Sequence, residues 1–203
     1  MTNEIKWAIN QVNSDITFDV RHLIVPHVSG AFKTFDANIY TTGKDFATAE
    51  IELWIDAASI TTGETKLDEH LRSSEFFDVA NYQQIKFVSN PAGRTEEGEN
   101  GIQEIWGELT IKGITEYIKL DVAFGGCYMD TYGKEKADFK VTTKIDRRNW
   151  GLNWNINTET AGFIVSDYVN ISCDVELMNL GERALVMEFE SVGIQHNSKA
   201  DHM

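Results

Sequence analysis

Val169-Asn170-Ile171-Ser172-Cys173-Asp174-Val175-Glu176-Leu177 alternates an apolar with a polar residue without a break. In an extended chain successive side chains leave on opposite sides, so this stretch is a strand with one dry and one wet face. The same period of two recurs upstream. Ile16, Phe18 and Val20 share a face against Thr17, Asp19 and Arg21, and Ala49, Ile51, Leu53 and Ile55 share one against Glu50, Glu52, Trp54 and Asp56. No stretch of about ten residues carries the 3.6-residue period of a buried helix. The chain is therefore expected to be all-β and antiparallel.

Working outward, further strands are expected over Lys6–Asn10, Val28–Tyr40, Ile85–Asn90, Ile102–Ile111, Glu116–Gly125 and Ala137–Ile145, with Ala184–Phe189 as an additional apolar stretch. His22–Ser29 holds Pro26 and breaks the alternation, so it reads as a connection or a single helical turn. A polar turn ends at Asp45, Gly113 marks a tight turn, and Pro91–Gly101 is a loop rich in Gly and Glu. The one helical segment is short: Thr65 is expected to cap Lys66–Ser73, with Asp68 at the capping-box position and Leu67 and Leu71 facing the body. It must lean on the sheet, with Phe76 and Phe77 as anchor. About eight strands with short turns and no regular helical crossovers point to a barrel, because closure removes unpaired edges. At that size the interior holds either packed side chains or one slender ligand, and the periodicity alone leaves both open.

The chain has 203 residues, a length that suits one all-β domain, expected over 1–190 with a flexible tail over 191–203. Cys127 and Cys173 match neither a disulfide framework nor a zinc spacing and read as small buried hydrophobes. MTNEIKWAIN lacks the basic and apolar regions of a secretory signal, so a cytoplasmic location is expected. No apolar run is long enough to span a bilayer as a helix. With 32 acidic against 18 basic residues the formal charge is −14, which repels phosphate backbones and argues against a nucleic-acid partner.

Three blocks of residues together resemble the YceI-like family, over Trp7 to about Leu177. The first, in the spacing W-x-I-x-x-x-x-S-x-I-x-F-x-V-R-H, is Trp7, Ile9, Ser14, Ile16, Phe18, Val20, Arg21 and His22, followed by Val28, Gly30, Phe32 and Phe35. The second is Ser59, Ile60, Thr62 and Gly63, then Asp68, His70, Leu71, Arg72, Ser73, Phe76, Phe77 and Asp78. The third is Leu109, Thr110, Ile111, Gly113 and Thr115. The resemblance implies an eight-stranded antiparallel lipocalin-like barrel, closed at one end, whose apolar channel takes a polyisoprenoid or another long amphiphile. It implies no catalytic residue and no metal. The chain departs from the pattern at Leu67, where Arg often precedes the Asp of D-x-H-L, and in a C-terminus that runs past the usual last strand.

Inward positions of the alternating strands supply the candidate ligand-binding wall: Phe18, Val20, Phe32, Ile51, Leu53, Ile55, Phe87, Phe139, Val141 and Ile171. Arg21, His22, Asp68, His70 and Arg72 are the most reactive-looking group, from which His22 and His70 are taken as ligand-binding candidates near the barrel mouth. For most of this group the structural role weighs more: Asp68 serving the helix start, Arg and His holding the helix to the sheet. Asn149 and Trp150 read as a chain turn after Arg147 and Arg148.

Two rivals stand against a carrier. A metal enzyme would need His22, His27 and His70 to converge, yet their spacing is unlike H-E-x-x-H, and no G-x-S-x-G elbow is present. An interaction module would fill its barrel and meet partners, a second copy in a homodimer included, through Trp54, Tyr128–Tyr132 or the C-terminal extension. The expectation is a binder or carrier of an isoprenoid quinone, a polyprenyl species, a fatty-acid derivative or another long-chain lipid, working without a covalent step.

Overall fold

The structure is a computed structural model that describes residues 3–22, 28–90, 102–153 and 165–182. Its strands are β1 (Glu4–Ile9), β2 (Asp15–His22), β3 (Val28–Phe32), β4 (Phe35–Thr42), β5 (Asp45–Asp56), β6 (Ile60–Thr61), β7 (Gln84–Ser89), β8 (Ile102–Ile111), β9 (Ile114–Met129), β10 (Glu135–Asp146) and β11 (Val165–Glu182), with one α-helix, α1 (Thr65–Arg72). All pairings are antiparallel.

The strands reduce to an eight-membered ring. β1 and β2 lie end to end along one edge of β11, β1 against Leu177–Glu182 and β2 against Val165–Asp174. They are one long strand interrupted at Asn10–Ser14. On their other side β3 pairs with β2 and β4 with β1, so these too make one strand, interrupted at Lys33–Thr34. β5, β7, β8, β9, β10 and β11 follow in order, and the pairing of β11 with β1 and β2 closes the barrel.

The expected single strand Val28–Tyr40 is thus corrected to two. The break has a local cause: the Lys33 and Thr34 N–H groups both donate to Ser59 Oγ at 3.1 Å, in a 3-10 turn at Ala57–Ser59. These amides leave the strand ladder to hold the β5–β6 connection. β9 and β11 run longer than expected because their ends lose the simple alternation. In β9 a bulge at Gly125 sets Phe124 opposite Phe139 and Gly126 opposite Asp138, shifting the side-chain phase before Met129. The tight β8–β9 turn is as expected: Lys112 and Gly113 both have positive φ (51° and 74°), the combination a two-residue hairpin with matching twist requires.

α1 corrects the capping assignment. Its N-cap is Glu64, with no side-chain cap, and Thr65 is already helical. Asp68 reaches back past the helix start and accepts from Thr62 N–H (2.7 Å), Thr62 Oγ1 (2.7 Å) and Thr61 Oγ1 (3.0 Å). Burial works against its charge, but these bonds and the Arg72 charge prevail and hold the carboxyl below its ordinary range. Arg72 pins the helix by donating Nε to Ala58 O (2.8 Å) and Nη2 to Ile60 O (2.5 Å).

Cys127, expected inside, is exposed just past the bulge, whereas Cys173 faces the interior. Trp7 and Trp150 are fully buried, their indole N–H groups donating to Thr41 Oγ1 (2.9 Å) and Leu109 O (3.1 Å). Among the described residues no helix is long and apolar enough to cross a membrane. Pro26, His27, Pro91–Gly101, Ala184–Phe189 and the expected C-terminal tail lie outside the described residues.

Candidate functional site

The inward faces of the ring do not meet. They enclose a cavity of about 420 Å³, within the range of roughly 300–1,000 Å³ typical of small-molecule sites. Its wall carries the alternation that defined the strands: Ala49, Ile51, Leu53 and Ile55 from β5, and Val169, Ile171, Cys173, Val175 and Leu177 from β11. Ile51, Leu53, Phe139 and Ile171 point inward and yet are only half-buried. A filled core would leave such side chains no accessible surface; here they border open space.

The cavity is elongated. Its wall on β11 runs from Val169 to Leu177, a path of about 26 Å at roughly 3.3 Å per residue. Strand directions fix what closes each end. β5 and β10 run toward the same end, so α1, which follows β5, and the 3-10 turn Arg147–Trp150, which follows β10, both belong to it. There α1 and the chain after it contribute Leu67, His70, Leu71, Phe76 and Phe77 to the wall. At the opposite end Phe46, Phe124 and Phe139 form a ring cluster with centroid separations of 4.9–5.6 Å, and Trp7 packs on Phe46 at 4.8 Å. Phe124 is the half-exposed member, carried on the bulged strand.

Two glycines keep the lumen from filling. Phe18 lies across Gly30 on the neighbouring strand, and Phe87 lies across Gly107. A Cβ at Gly30 would overlap Phe18 Cζ and come within 2.7 Å of Thr61 O; one at Gly107 would overlap Val88 O and come within 2.5 Å of Phe87 Cζ. The missing side chains let both rings lie along the wall rather than across the hollow.

The wall includes Phe18, Val20, Phe32, Ile51, Leu53, Ile55, Phe87, Phe139, Val141 and Ile171, and His70 joins them from α1 with Nδ1 3.5 Å from Glu75 Oε2. His22 ends β2 opposite Val165; its side chain lies outside the described residues. Arg21 is exposed, and neither it nor Asp68 nor Arg72 is on the wall. The three-histidine constellation falls partly outside the described residues, and among the described residues no three His, Cys, Asp or Glu are grouped to hold a metal ion.

Arg147 is a charged wall residue that the sequence reading missed, having named it only as preceding the chain turn at Asn149 and Trp150. It is 3% exposed, donates Nε to Ser166 O at 3.1 Å and Nη1 to Leu152 O, and has Nη2 3.6 Å from Asp167 Oδ1. Burial pulls its pKa down, against the opposing pull of Asp167 and Asp146. The signal was present: Phe139, Val141 and Ile145 point inward, and counting the same period on past Ile145 reaches Arg147. Arg148 points elsewhere, in a bidentate pair with Asp146 (Nε–Oδ1 2.9 Å, Nη2–Oδ2 2.5 Å) that holds Asp146 down at about 2.

The YceI-like domain model matches residues 7–177. A UPF0312 protein of Staphylococcus epidermidis is 33% identical over 172 residues, covering 84% of this chain and 96% of its own. One from Staphylococcus aureus is 31% identical over 177 residues, covering 87% and 97%. Among solved structures, BcnA of Burkholderia cenocepacia superposes with a TM-score of 0.69 at 24% identity, covering 83% of this chain and 98% of that one. A YceI protein of Campylobacter jejuni gives 0.63 at 28% identity, covering 77% and 87%. A polyisoprenoid-binding domain from Saccharophagus degradans gives 0.63 at 17% identity, covering 85% and 98%, which shows a shared fold.

Proposed function

The chain belongs to the YceI-like family, and from that premise we propose that it binds one long apolar or amphiphilic molecule inside the barrel. The observation that carries this reading is the elongated cavity of about 420 Å³ whose wall is the apolar face of the alternating strands. The fold shared with a polyisoprenoid-binding domain supports it. Each methylene moved from water into such a lumen contributes about 0.8 kcal/mol, so about ten of them suffice for tight binding before ordering costs are subtracted. The guests that fit are an isoprenoid quinone, a polyprenyl species or a fatty-acid derivative. The wall residues Phe18, Val20, Phe32, Ile51, Leu53, Ile55, Phe87, Phe139, Val141 and Ile171 hold the tail by contact alone. The work done is to shield that tail from water, with no covalent step.

Native mass spectrometry after gentle purification, followed by organic extraction, tests the reading. The expected result is one long-chain compound per barrel, or stoichiometric uptake of prenyl and acyl probes by emptied protein. Recovery of no such compound, together with failure to take up any probe, would overturn it.

A further inference from the structure

Phe46 points inward against the parity of its own strand. In β5 the residues Ala49, Ile51, Leu53 and Ile55 face the lumen, so plain alternation would put Phe46 outside with Glu50 and Glu52. The register shows how it is turned. Tyr40 pairs with Glu50 but Thr42 with Asp45, so five residues of β5 pass against two of β4, and an odd surplus reverses the side-chain phase. The surplus is held by its own bonds. Thr48 Oγ1 donates to Asp45 O (2.6 Å) and accepts from Thr42 N–H (2.7 Å), and Ala47 N–H donates to Asp45 Oδ1 (3.0 Å).

Once turned in, the ring crosses the bore. In the eight-membered ring of strands β10 is four places from β5 in either direction, so the two face each other across the barrel. Phe46 nevertheless meets Phe139 of β10 at 4.9 Å between centroids, Phe124 of β9 at 5.6 Å and Trp7 of β1 at 4.8 Å. Phe46 and Phe139 line the cavity, whereas Trp7 and Phe124 touch Phe46 and are not on the wall. The hollow therefore ends on the Phe46 and Phe139 rings, with Trp7 and Phe124 behind them. Trp7 is a firm backing, fully buried and donating its indole N–H to Thr41 Oγ1, itself in a residue 1% exposed.

We propose that Phe46 is the length stop of this lumen: its ring bars the bore, the apolar terminus of the guest ends against it, and this one side chain sets the longest acyl or prenyl chain that is held in full. The proposal rests on the lumen-binding reading and deepens it. Up to the stop each added methylene of a guest leaves water and strengthens binding; beyond it the extra methylenes stay outside and add nothing. The wall residues along the tube make contact all the way down it and choose no length. A ring reaching across the bore does choose one, because bulk at the end of a tube is what a chain terminus meets first.

The test measures the affinity of the whole chain for saturated fatty acids of increasing length, in wild type and in variants. Wild-type affinity is expected to rise about fourfold per methylene and then level off at a definite length. In Phe46→Ala the acids up to that length should bind as in wild type, and those just beyond it should go on gaining about fourfold per methylene. Phe46→Leu, which stays apolar but has no ring to reach Phe139, is expected to move the plateau the same way and carries the test if Phe46→Ala does not fold. Phe124→Ala removes the half-exposed ring behind Phe46 and should leave the plateau where wild type has it. A plateau unmoved in a folded Phe46 variant, or moved as far by Phe124→Ala, would overturn the assignment to Phe46 while leaving the lumen reading intact. Wild-type affinity that ignores chain length, or that never levels off, would overturn the lumen reading and the stop with it.

Discussion

Glu176→Ala is expected to cost the barrel about 3–5 kcal/mol, measured as a shift in the urea midpoint. Glu176 is on the outward face of β11, where alternation assigns it to water, yet it is only 6% exposed. The reason is the interruption between β1 and β2. Asn10–Ser14 folds over the place where β11 changes partners, with Asn10 N–H donating to Glu176 O (2.8 Å) and Glu176 N–H donating to Ser14 Oγ (2.9 Å). Its carboxylate accepts from Lys136 Nζ (2.8 Å), Tyr128 Oη (2.5 Å), Asn13 Nδ2 (3.1 Å) and Asn10 Nδ2. One acid thus ties the loop, the β9 end and β10 to β11. Removing it leaves Lys136, itself mostly buried at 13% exposure, without this partner.

The same site carries a pH signature. Burial disfavours the charge of Glu176, but the Lys136, Tyr128, Asn10 and Asn13 bonds outweigh it and bring the pKa from the usual 4.5 down to about 2. A depressed folded-state pKa contributes stability that is fully present above the unfolded value and is lost as pH falls toward the folded one. The loss belongs between about pH 4.5 and 2 and amounts to at most about 3 kcal/mol. Other depressed carboxyls, Asp146 and Asp68 among them, titrate alongside it. Glu176→Gln should therefore show a shallower fall in stability than wild type across this window. Parallel curves would mean that the carboxylate is not the tie.

The second large effect concerns the lumen. Leu53 faces inward from β5 between Ala37 and Phe87 and borders the hollow, so Leu53→Trp has space to enter rather than a packed core to disrupt. The indole then divides the lumen. If it keeps about four methylenes of a guest in water, binding weakens about two-hundredfold, at 0.8 kcal/mol each. A urea midpoint close to that of wild type would establish that the variant remains folded. Unchanged probe affinity in a folded variant would contradict the placement of the guest beside Leu53.

Sequence made the barrel legible because closure needs only the period of two, and that period is nearly perfect from Asp15 to Arg21, Ala47 to Asp56 and Val169 to Leu177. It failed where backbone amides bond outside the ladder. Lys33 and Thr34 turn to Ser59, Asn10–Ser14 folds over Glu176, and the Gly125 bulge changes the phase, none of which disturbs hydrophobicity enough to be read. The wall residues came from alternation, but the hollow between them did not, since a filled and an empty barrel share one pattern. What separates the two is local: Gly30 beneath Phe18 and Gly107 beneath Phe87. Arg147 was missed for a different reason. Its neighbour Arg148 and the turn that follows make the segment look like surface, although its parity with Ile145 points inward.

The most direct measurement of the central claim is the affinity of the whole chain for a homologous series of fatty acids, from short to long. A lumen of fixed length predicts affinity that rises about fourfold per methylene, near 0.8 kcal/mol each, and then stops rising once the hollow is occupied. Affinity independent of chain length, or an increase that never levels off, would contradict an enclosed lumen as the place where the guest is held.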